Sequence, residues 1–305
     1  MTELNRSLSG QTVSLVLGSG GARGLAHIGV IRALEDAGVE IRTIAGSSMG
    51  ALIGGIHAAG RLDAYEDWIC GLAQSDVLAL VDWTLSGGGL IRGRRIINKL
   101  AELIGEYEIE DLKIDFTAVA VDLDSGRELW LDRGPLFDAI RASIAIPGVF
   151  TPHEYRGRTM IDGGILNPVP IAPTLRAIND LVIVVDANGP SVHPAPLERD
   201  RQADEDSNGM FQKVREFMNS WRNSEDEGET SSRPGLMAVM MRALDTMEAA
   251  IARHHMAIFH SDIMISVPKN TCQVHEFYRA REIIDLGRRL TQDALSGYRP
   301  NRSKF

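Results

Sequence analysis

The sequence has few cysteines and lacks the segments that export a protein or hold it in a membrane. Only Cys70 and Cys272 occur among 305 residues, and neither belongs to a C-x-x-C pair. The sequence therefore predicts free thiols in an intracellular protein. Residues 1–9 have no apolar stretch of signal-peptide type. No run reaches the roughly 18 apolar residues of a transmembrane helix. We expect a cytoplasmic protein whose only membrane contact would be peripheral, at the inner face.

A basic surface is also missing. The chain has 32 Lys and Arg against 41 Asp and Glu, a net charge of −9, which excludes nucleic acid as a partner because a phosphate backbone needs a basic face. Residues 198–229 hold ten acidic and five basic side chains, more than half of the excess. With its prolines and glycines, the stretch 187–235 predicts an acidic, partly disordered excursion within a single domain spanning residues 10–305.

Motifs for metals and nucleotides are absent as well. There is no H-E-x-x-H and no cysteine–histidine cluster, and the sequential pair His254-His255 points to different faces of a helix. The glycine-rich turn has Arg23 where a dinucleotide loop needs its third glycine. Gly24 is followed by leucine, where a Walker A loop needs Gly-Lys. We expect neither a metal nor a cofactor.

What the sequence does contain is the pattern strand–turn–helix, twice within sixty residues. Residues 13–17 and 41–45 are predicted strands, each followed by a glycine-containing turn and a helix that ends at Gly38 or Gly60. This pattern predicts an α/β fold with a parallel sheet. Further strands are predicted at 116–121, 128–131, 181–186 and 263–267, and further helices at 136–144, 236–251 and 277–294.

One short motif places a serine in the second turn. Gly46-x-Ser48-x-Gly50 is typical of a sharp turn that lifts a hydroxyl out of the sheet, and the crowded turn needs very small flanking residues. The N-terminus of the following helix favours negative charge there. An ordinary strand–helix turn is the alternative interpretation. Because an apolar strand and an apolar helix flank the motif, we predict that Ser48 is a nucleophile.

Consecutive glycines follow the first strand. Gly20 and Gly21 leave backbone N–H groups uncovered, and such groups can converge on an anion. Ester hydrolysis passes through an oxyanion. We therefore predict an oxyanion hole from the N–H groups of Gly20, Gly21 and Ala22, joined by Met49 directly after the serine. Arg23 either binds a phosphate or carboxylate near the site or is an ordinary surface arginine.

A third motif supplies a carboxylate. Asp162 is followed by Gly163 and Gly164, which allow close approach of the backbone and free the side chain to face a neighbour. Alone, an Asp-Gly pair usually marks only a turn. The three motifs together are much more specific than any one of them.

In this order and spacing the motifs resemble those of the patatin-like phospholipases, over residues 13 to about 186. Supporting patterns are Ala26-His27-Ile28-Gly29-Val30, Arg141-Ala142-Ser143 and Ile146-Pro147-Gly148. Within the family, residues 126–130, 167–170 and 277–280 look most similar to the bacterial RssA-like branch. Ser19 departs from the family pattern, because many members have glycine there.

The resemblance implies a three-layer α/β/α fold with a mostly parallel central sheet, a dyad of Ser48 and Asp162, and hydrolysis of lipid acyl esters. Asp162 would accept the Ser48 proton, and water would cleave the resulting acyl-enzyme. A full triad is disfavoured, because no histidine after Asp162 lies in a glycine-flanked loop behind a strand. We interpret His27 as structural.

The expected substrates are phospholipids, lysophospholipids or related acyl esters. A thioesterase or small-ester esterase would use the same dyad, and the non-enzymatic alternative is a regulatory or adaptor protein on the same fold. The sequence leaves homo-oligomerisation open. Within the excursion, residues 210–221 follow helical spacing. They predict a helix packed on the core or on a second subunit, or else a lid that contacts lipid.

Overall fold

A mostly parallel sheet lies at the centre of the residues that the structure describes, which are 8–82, 84, 89–197 and 236–298 of a computed structural model. The helix predicted at residues 210–221 and most of the acidic excursion lie outside the described residues. Within the described ranges, no helix combines the length and the hydropathy that crossing a bilayer requires.

The strands alternate with helices along the first part of the chain, as the repeated pattern predicts. They are β1 (Thr12–Leu17), β2 (Glu40–Ser47), β3 (Gly89–Ile91), β4 (Asp115–Asp122), β5 (Arg127–Leu131), β6 (Gly148–Phe150), β7 (His153–Tyr155), β8 (Arg158–Asp162), β9 (Leu181–Gly189) and β10 (Ile263–Pro268). The main sheet has the order β10-β9-β1-β2-β4-β8-β7, and β5 also pairs with β4. Pairs from β10 to β4 are parallel, whereas β5, β7 and β8 are antiparallel to their neighbours. Strands β3 and β6 pair separately.

Helices cover this sheet on both faces. They are α1 (Ala26–Asp36), α2 (Met49–Ala58), α3 (Leu62–Cys70), α4 (Gln74–Ala79), α5 (Arg94–Ile104), α6 (Leu136–Ser143), α7 (Leu236–Ile258) and α8 (Ala280–Gly297). Single 3₁₀ turns lie at Gly21–Leu25, Ile109–Asp111, Gly163–Ile165, Ala172–Arg176 and Phe277–Arg279.

The alternation of side chains along the strands produces the layers, since successive residues of a strand face opposite sides. In β1, Leu15 and Leu17 belong to the large apolar core that includes α1, α2 and α8. Val16, between them, packs on the other face in a smaller cluster with Ala252 of α7. The three-layer α/β/α fold predicted from the sequence is therefore confirmed.

Several peripheral elements were not predicted. Helices α3, α4 and α5 are among them, although α3 buries Leu62, Tyr65 and Ile69 at helical spacing. Strands β3, β6 and β7 have three residues each, which is too short for any periodicity to show. Strand β9 continues to Gly189, three residues beyond its predicted end and into the range predicted as the excursion.

Helices α1 and α8 cross at backbone contact distance. A Cβ atom on Gly29 would lie 1.9 Å from the carbonyl oxygen of Ile284, and one on Gly287 would lie 2.1 Å from the carbonyl oxygen of Ala26. Both glycines are helical, so the close approach, and not a special backbone angle, excludes a side chain at these positions. The crossing therefore joins the first helix of the chain to the last described one.

We predict that Gly287→Ala destabilises the protein. Alanine is the better helix former, but its methyl group would have to displace the backbone of α1, and such overpacking should lower the free energy of unfolding by about 2 kcal/mol. Gly297→Ala is the matched control on the same helix, because nothing lies within 4 Å of its added Cβ. Urea denaturation measures both variants. Equal unfolding midpoints would show that the crossing tolerates a side chain.

Candidate active site

The turn between β2 and α2 holds Ser48 in a conformation that a residue with a side chain rarely adopts. Its φ is 54° and its ψ is −120°, and such strain persists only where the surroundings impose it. A Cβ on Gly46 would lie 2.4 Å from the Gly50 carbonyl carbon, and one on Gly50 would lie 1.9 Å from the Leu17 carbonyl oxygen. Glycine is thus required at both flanking positions, as the motif predicts.

Strands β2 and β8 follow one another along a single edge of β4. Ser47 at the end of β2 pairs with Val119. Asp162 at the end of β8 pairs with the next residue, Ala120. Because β5 pairs with residues 118–122 of β4, it must occupy the opposite edge. The ends of β2 and β8 therefore meet, and Ser48 and Asp162 come together although 114 positions separate them.

The two side chains form a short hydrogen bond in a buried site. The Ser48 hydroxyl donates to Asp162 Oδ2 at 2.7 Å, and the Gly164 N–H donates to Oδ1 at 2.7 Å. Both Ser48 and Asp162 are 3% exposed. Burial raises the pKa of Asp162 to about 7, although the hydrogen bonds from Ser48 and Gly164 lower it in part. This carboxylate is thus a much stronger base than an exposed aspartate.

Gly163 explains why the carboxylate must be followed by glycine. A Cβ at this position would lie 2.1 Å from the Val119 carbonyl oxygen and 2.8 Å from the Ser47 hydroxyl. The turn therefore passes directly over the junction of β2, β4 and β8. A larger residue would push Asp162 away from Ser48.

Ser143, at the end of α6, is hydrogen-bonded to the backbone of the serine turn. Its hydroxyl accepts the Ser48 N–H at 2.9 Å and donates to the Val119 carbonyl at 2.6 Å. All three residues are buried. In the sequence, Ser143 belongs to a pattern shared with the family, and that pattern assigns it no role. The signal was present, because a serine next to buried apolar residues of a helix needs hydrogen-bond partners.

The glycine loop after β1 lies against the first turn of α2, the helix that follows Ser48. Within the described part of the chain, the N–H groups of Gly20, Gly21 and Met49 have no hydrogen-bond partner. Gly21 has a φ of +55°, and a Cβ on Gly24 would lie 2.5 Å from the Met49 Cβ. The loop is therefore pressed against the first turn of α2.

The prediction that the Ala22 N–H group belongs to the oxyanion hole is wrong. Its N–H donates to the Val274 carbonyl at 2.9 Å, so it is not available to an oxyanion. The loop turns into its 3₁₀ helix at this point, and the segment before Phe277 covers it. We therefore leave Ala22 out of the candidate oxyanion hole.

Arg23 holds the loop in place. Its Nε donates to the Gly20 carbonyl at 3.2 Å and its Nη1 donates to the Lys269 carbonyl at 3.0 Å. Burial lowers the pKa of Arg23, and the nearby carboxylates of Asp245 and Asp186 oppose that shift. Neither sequence interpretation described this contact, which depends on a residue 246 positions away.

His27 and His255 are hydrogen-bonded to residues other than Ser48 and Asp162. His27 is fully buried, its Nε2 donates to the Gly18 carbonyl at 2.8 Å, and burial lowers its pKa to about 4. His255 Nδ1 donates to Asn167 Oδ1 at 3.0 Å. In the described part of the chain, the hydrogen-bond partners of Ser48 and Asp162 include no histidine. No group of three or more His, Cys, Asp or Glu side chains there is arranged to hold a metal ion.

Known proteins resemble this chain over the region that contains the site. A family model described as patatin-like phospholipase matches residues 15–175, which include Ser48 and Asp162. An uncharacterized NTE family protein of Mycobacterium tuberculosis is 40% identical over 340 residues, covering 96% of this chain and 94% of that protein. A protein of the same description from Mycobacterium bovis has the same values. Lysophospholipase nte1 of Neurospora crassa is 31% identical over 190 residues, which are 60% of this chain and 12% of that protein.

We predict that Ser143→Ala destabilises the fold. The substitution leaves the buried Ser48 N–H and Val119 carbonyl without this partner, which should cost about 2 kcal/mol of unfolding free energy. Thr246→Ala is the matched control, because it also removes a hydroxyl bonded to a carbonyl, that of Arg242, but at an exposed position. Chemical denaturation compares the two. A cost for Ser143→Ala no larger than that of Thr246→Ala would contradict the supporting role.

Proposed function

The chain belongs to the patatin-like phospholipase family, and from this premise we propose that it is a serine acyl hydrolase acting on lipid esters through Ser48 and Asp162. Family membership supports hydrolysis of lipid esters in general. The dyad, the acyl-enzyme and the substrate are our proposal.

One observation carries the proposal. The Ser48 hydroxyl is hydrogen-bonded at 2.7 Å to a buried carboxylate whose pKa is raised to about 7. A serine is a weak nucleophile unless a base removes its proton, and a base is most effective when its pKa lies near the working pH. An ordinary aspartate, with a pKa of about 3.9, would be a poor base for this purpose.

The proposed reaction begins when Ser48 Oγ attacks the acyl carbonyl carbon. Asp162 Oδ2 takes the hydroxyl proton, and the carbonyl oxygen becomes an oxyanion. The N–H groups of Gly20, Gly21 and Met49 are proposed to bind that oxyanion, with the N-terminus of α2 adding favourable potential. The alcohol leaves with the proton from Asp162, and the acyl group stays on Ser48 as an ester.

The acyl-enzyme is then hydrolysed by water. Asp162 takes a proton from the water molecule, whose oxygen attacks the acyl carbon, and the Ser48 oxygen leaves and recovers the proton. The same oxyanion hole serves both steps. No metal or cofactor takes part in this scheme.

Phospholipids and lysophospholipids are the proposed substrates. The support is the family description and the similarity to a fungal protein named as a lysophospholipase. A thioesterase would need no different machinery, so a panel of phospholipid, lysophospholipid and acyl-thioester substrates separates these activities. The hydrogen-bonded dyad disfavours the purely regulatory alternative, because an adaptor has no use for a buried base beside a strained serine.

We predict that Ser48→Ala abolishes both hydrolysis of a p-nitrophenyl ester and labelling by a fluorophosphonate. Asp162→Asn should lower kcat by roughly three orders of magnitude, because the amide cannot accept the proton. His254→Ala, an exposed substitution, is the control and should leave kcat within about twofold. Wild-type turnover in folded Ser48→Ala would falsify the nucleophile. A histidine variant as impaired as Asp162→Asn would replace the dyad by a triad.

We also predict an acid limb in the pH profile of kcat/KM. The base must be ionised, and its raised pKa of about 7 keeps it protonated at lower pH. Activity should therefore fall about tenfold for each pH unit below the pKa. The measurement is kcat/KM for a neutral ester from about pH 5 to pH 8. Full activity at about pH 5 would show that Asp162 is not the base, or that its environment leaves its pKa unshifted.

A further inference from the structure

Helix α7 presents an unexpected distribution of side chains beside the dyad. Its outward face carries the exposed apolar residues Met240 and Met247, each 52% exposed. Glu248, the next residue, is half-buried. It lies on the inner face of the helix, at helical spacing from the buried Met241 and Ala252. A surface helix usually has its apolar side chains on the inner face and its charged side chains on the outer face, which is the reverse of this arrangement. The carboxylate on the inner face therefore needs a reason.

Glu248 lies among the groups of the active site. Its pKa is affected by the charges of Asp162, Asp245 and Arg23, and by a hydrogen bond from the Ser19 hydroxyl. Ser19 in turn lies against the catalytic turn, because a Cβ on Gly164 would be 3.1 Å from the Ser19 hydroxyl oxygen. Glu248 thus reaches both the turn that carries Asp162 and the loop that begins the oxyanion hole.

Two further contacts hold α7 in this position. His255, two turns after Glu248, donates a hydrogen bond to Asn167, and the Asn167 N–H donates to the Gly163 carbonyl at 2.8 Å. Ala252, between them on the helix, packs against Val16 and Val184 of the sheet. The helix is therefore fixed to the Asp162 turn and to the core on the same side.

We propose that Glu248 is a further residue of the active site, a positioning residue placed against Asp162 and the Ser19 loop, and that only its protonated form supports turnover. This proposal rests on the hydrolase function proposed above. It assigns to α7 a role in setting the charge of the site.

Electrostatics explains why the proton matters. Burial, together with the like charges of Asp162 and Asp245, raises the pKa of Glu248 to about 8, against the opposing effects of Arg23 and Ser19. Between about pH 7 and pH 8 the pair Asp162 and Glu248 then shares about one negative charge. Ionisation of Glu248 adds a second negative charge beside the loop where the oxyanion must form. Like-charge repulsion then raises the barrier to attack.

The charged groups that act on Glu248 come from separate elements of the fold. Asp162 acts on it from the end of β8, Arg23 from the turn after β1, and Asp245 from the preceding turn of α7. Asp186 at the end of β9 acts on Arg23. Among the described residues that act directly on Glu248, the cation is Arg23, and it does not offset the carboxylates. Lys269 acts on Asp245.

The test is the alkaline limb of kcat for a neutral ester in wild type and Glu248→Gln, each normalised to its own maximum. Wild-type kcat should fall roughly thirtyfold between its optimum and about pH 9.5, since each unit above the pKa leaves tenfold less protonated Glu248. In Glu248→Gln this decline should be lost. Two variants should move the alkaline limb in opposite directions. Asp245→Asn removes a charge that raises the pKa of Glu248, so the limb should move to lower pH. Ser19→Ala removes a hydrogen bond that lowers this pKa, so the limb should move to higher pH.

A second measurement separates this proposal from the proposed function. In the folded state Glu248 keeps its proton above the pH at which an unfolded glutamate loses it, so the unfolding midpoint of wild type relative to Glu248→Gln should fall as pH rises from about 5 to about 8 and then stay level. This readout needs no turnover. If a fluorophosphonate failed to label Ser48 at every pH, the proposed hydrolase function would be refuted. The pH-dependent difference in stability would still be expected. A wild-type alkaline limb unchanged in Glu248→Gln, or a stability difference independent of pH, would overturn the role of Glu248.

Discussion

The shared edge of strand β4 is the constraint on which the site depends. Two strands follow each other along that edge, and the residues that end them, Ser47 and Asp162, pair with the adjacent positions Val119 and Ala120. The junction leaves no room for a side chain at Gly163, and the serine turn leaves none at Gly46 or at Gly50, where a Cβ would meet the end of β1. The hydrogen-bonded pair of Ser48 and Asp162 therefore depends on the sheet register, and a slip of one residue in β8 would turn Asp162 to the opposite face.

Burial at this junction sets the chemistry of the site. The strand ends lie under the glycine loop and α7, so water has little access and the charged form of each carboxyl group is disfavoured. Asp162 and Glu248 both have raised pKa values for this reason. A carboxylate can then act as a base near neutral pH without a histidine. The same burial requires hydrogen-bond partners for the backbone around Ser48, and Ser143 supplies one.

The sequence predicts the parts of this arrangement that local chemistry determines. The serine turn, the glycine loop and the Asp-Gly-Gly turn each need particular residues at adjacent positions, so they are visible as motifs. The resemblance to a known family, and not the spacing, is what joins Ser48 to Asp162. Contacts between distant segments leave no such mark: the bond from Ala22 to Val274 and the approach of Glu248 to the dyad follow from how the strands pair and where α7 packs. A charged residue on the inner face of a helix can be recognised only when the packing of that helix is known.

The crossing of α1 and α8 has a consequence for the order in which the molecule is built. Strand β1 lies between β2 and β9, and the helix that follows β1 is in backbone contact with α8, the last described helix. During synthesis, the early β1–β2 half therefore stays open along one edge and exposes apolar surface until β9, β10 and α8 have left the ribosome. Long-range pairing of this kind is slow to form, and an uncovered strand edge invites aggregation. A chain whose synthesis stalls before α8 would contain the serine motif, but part of its apolar core would still be exposed.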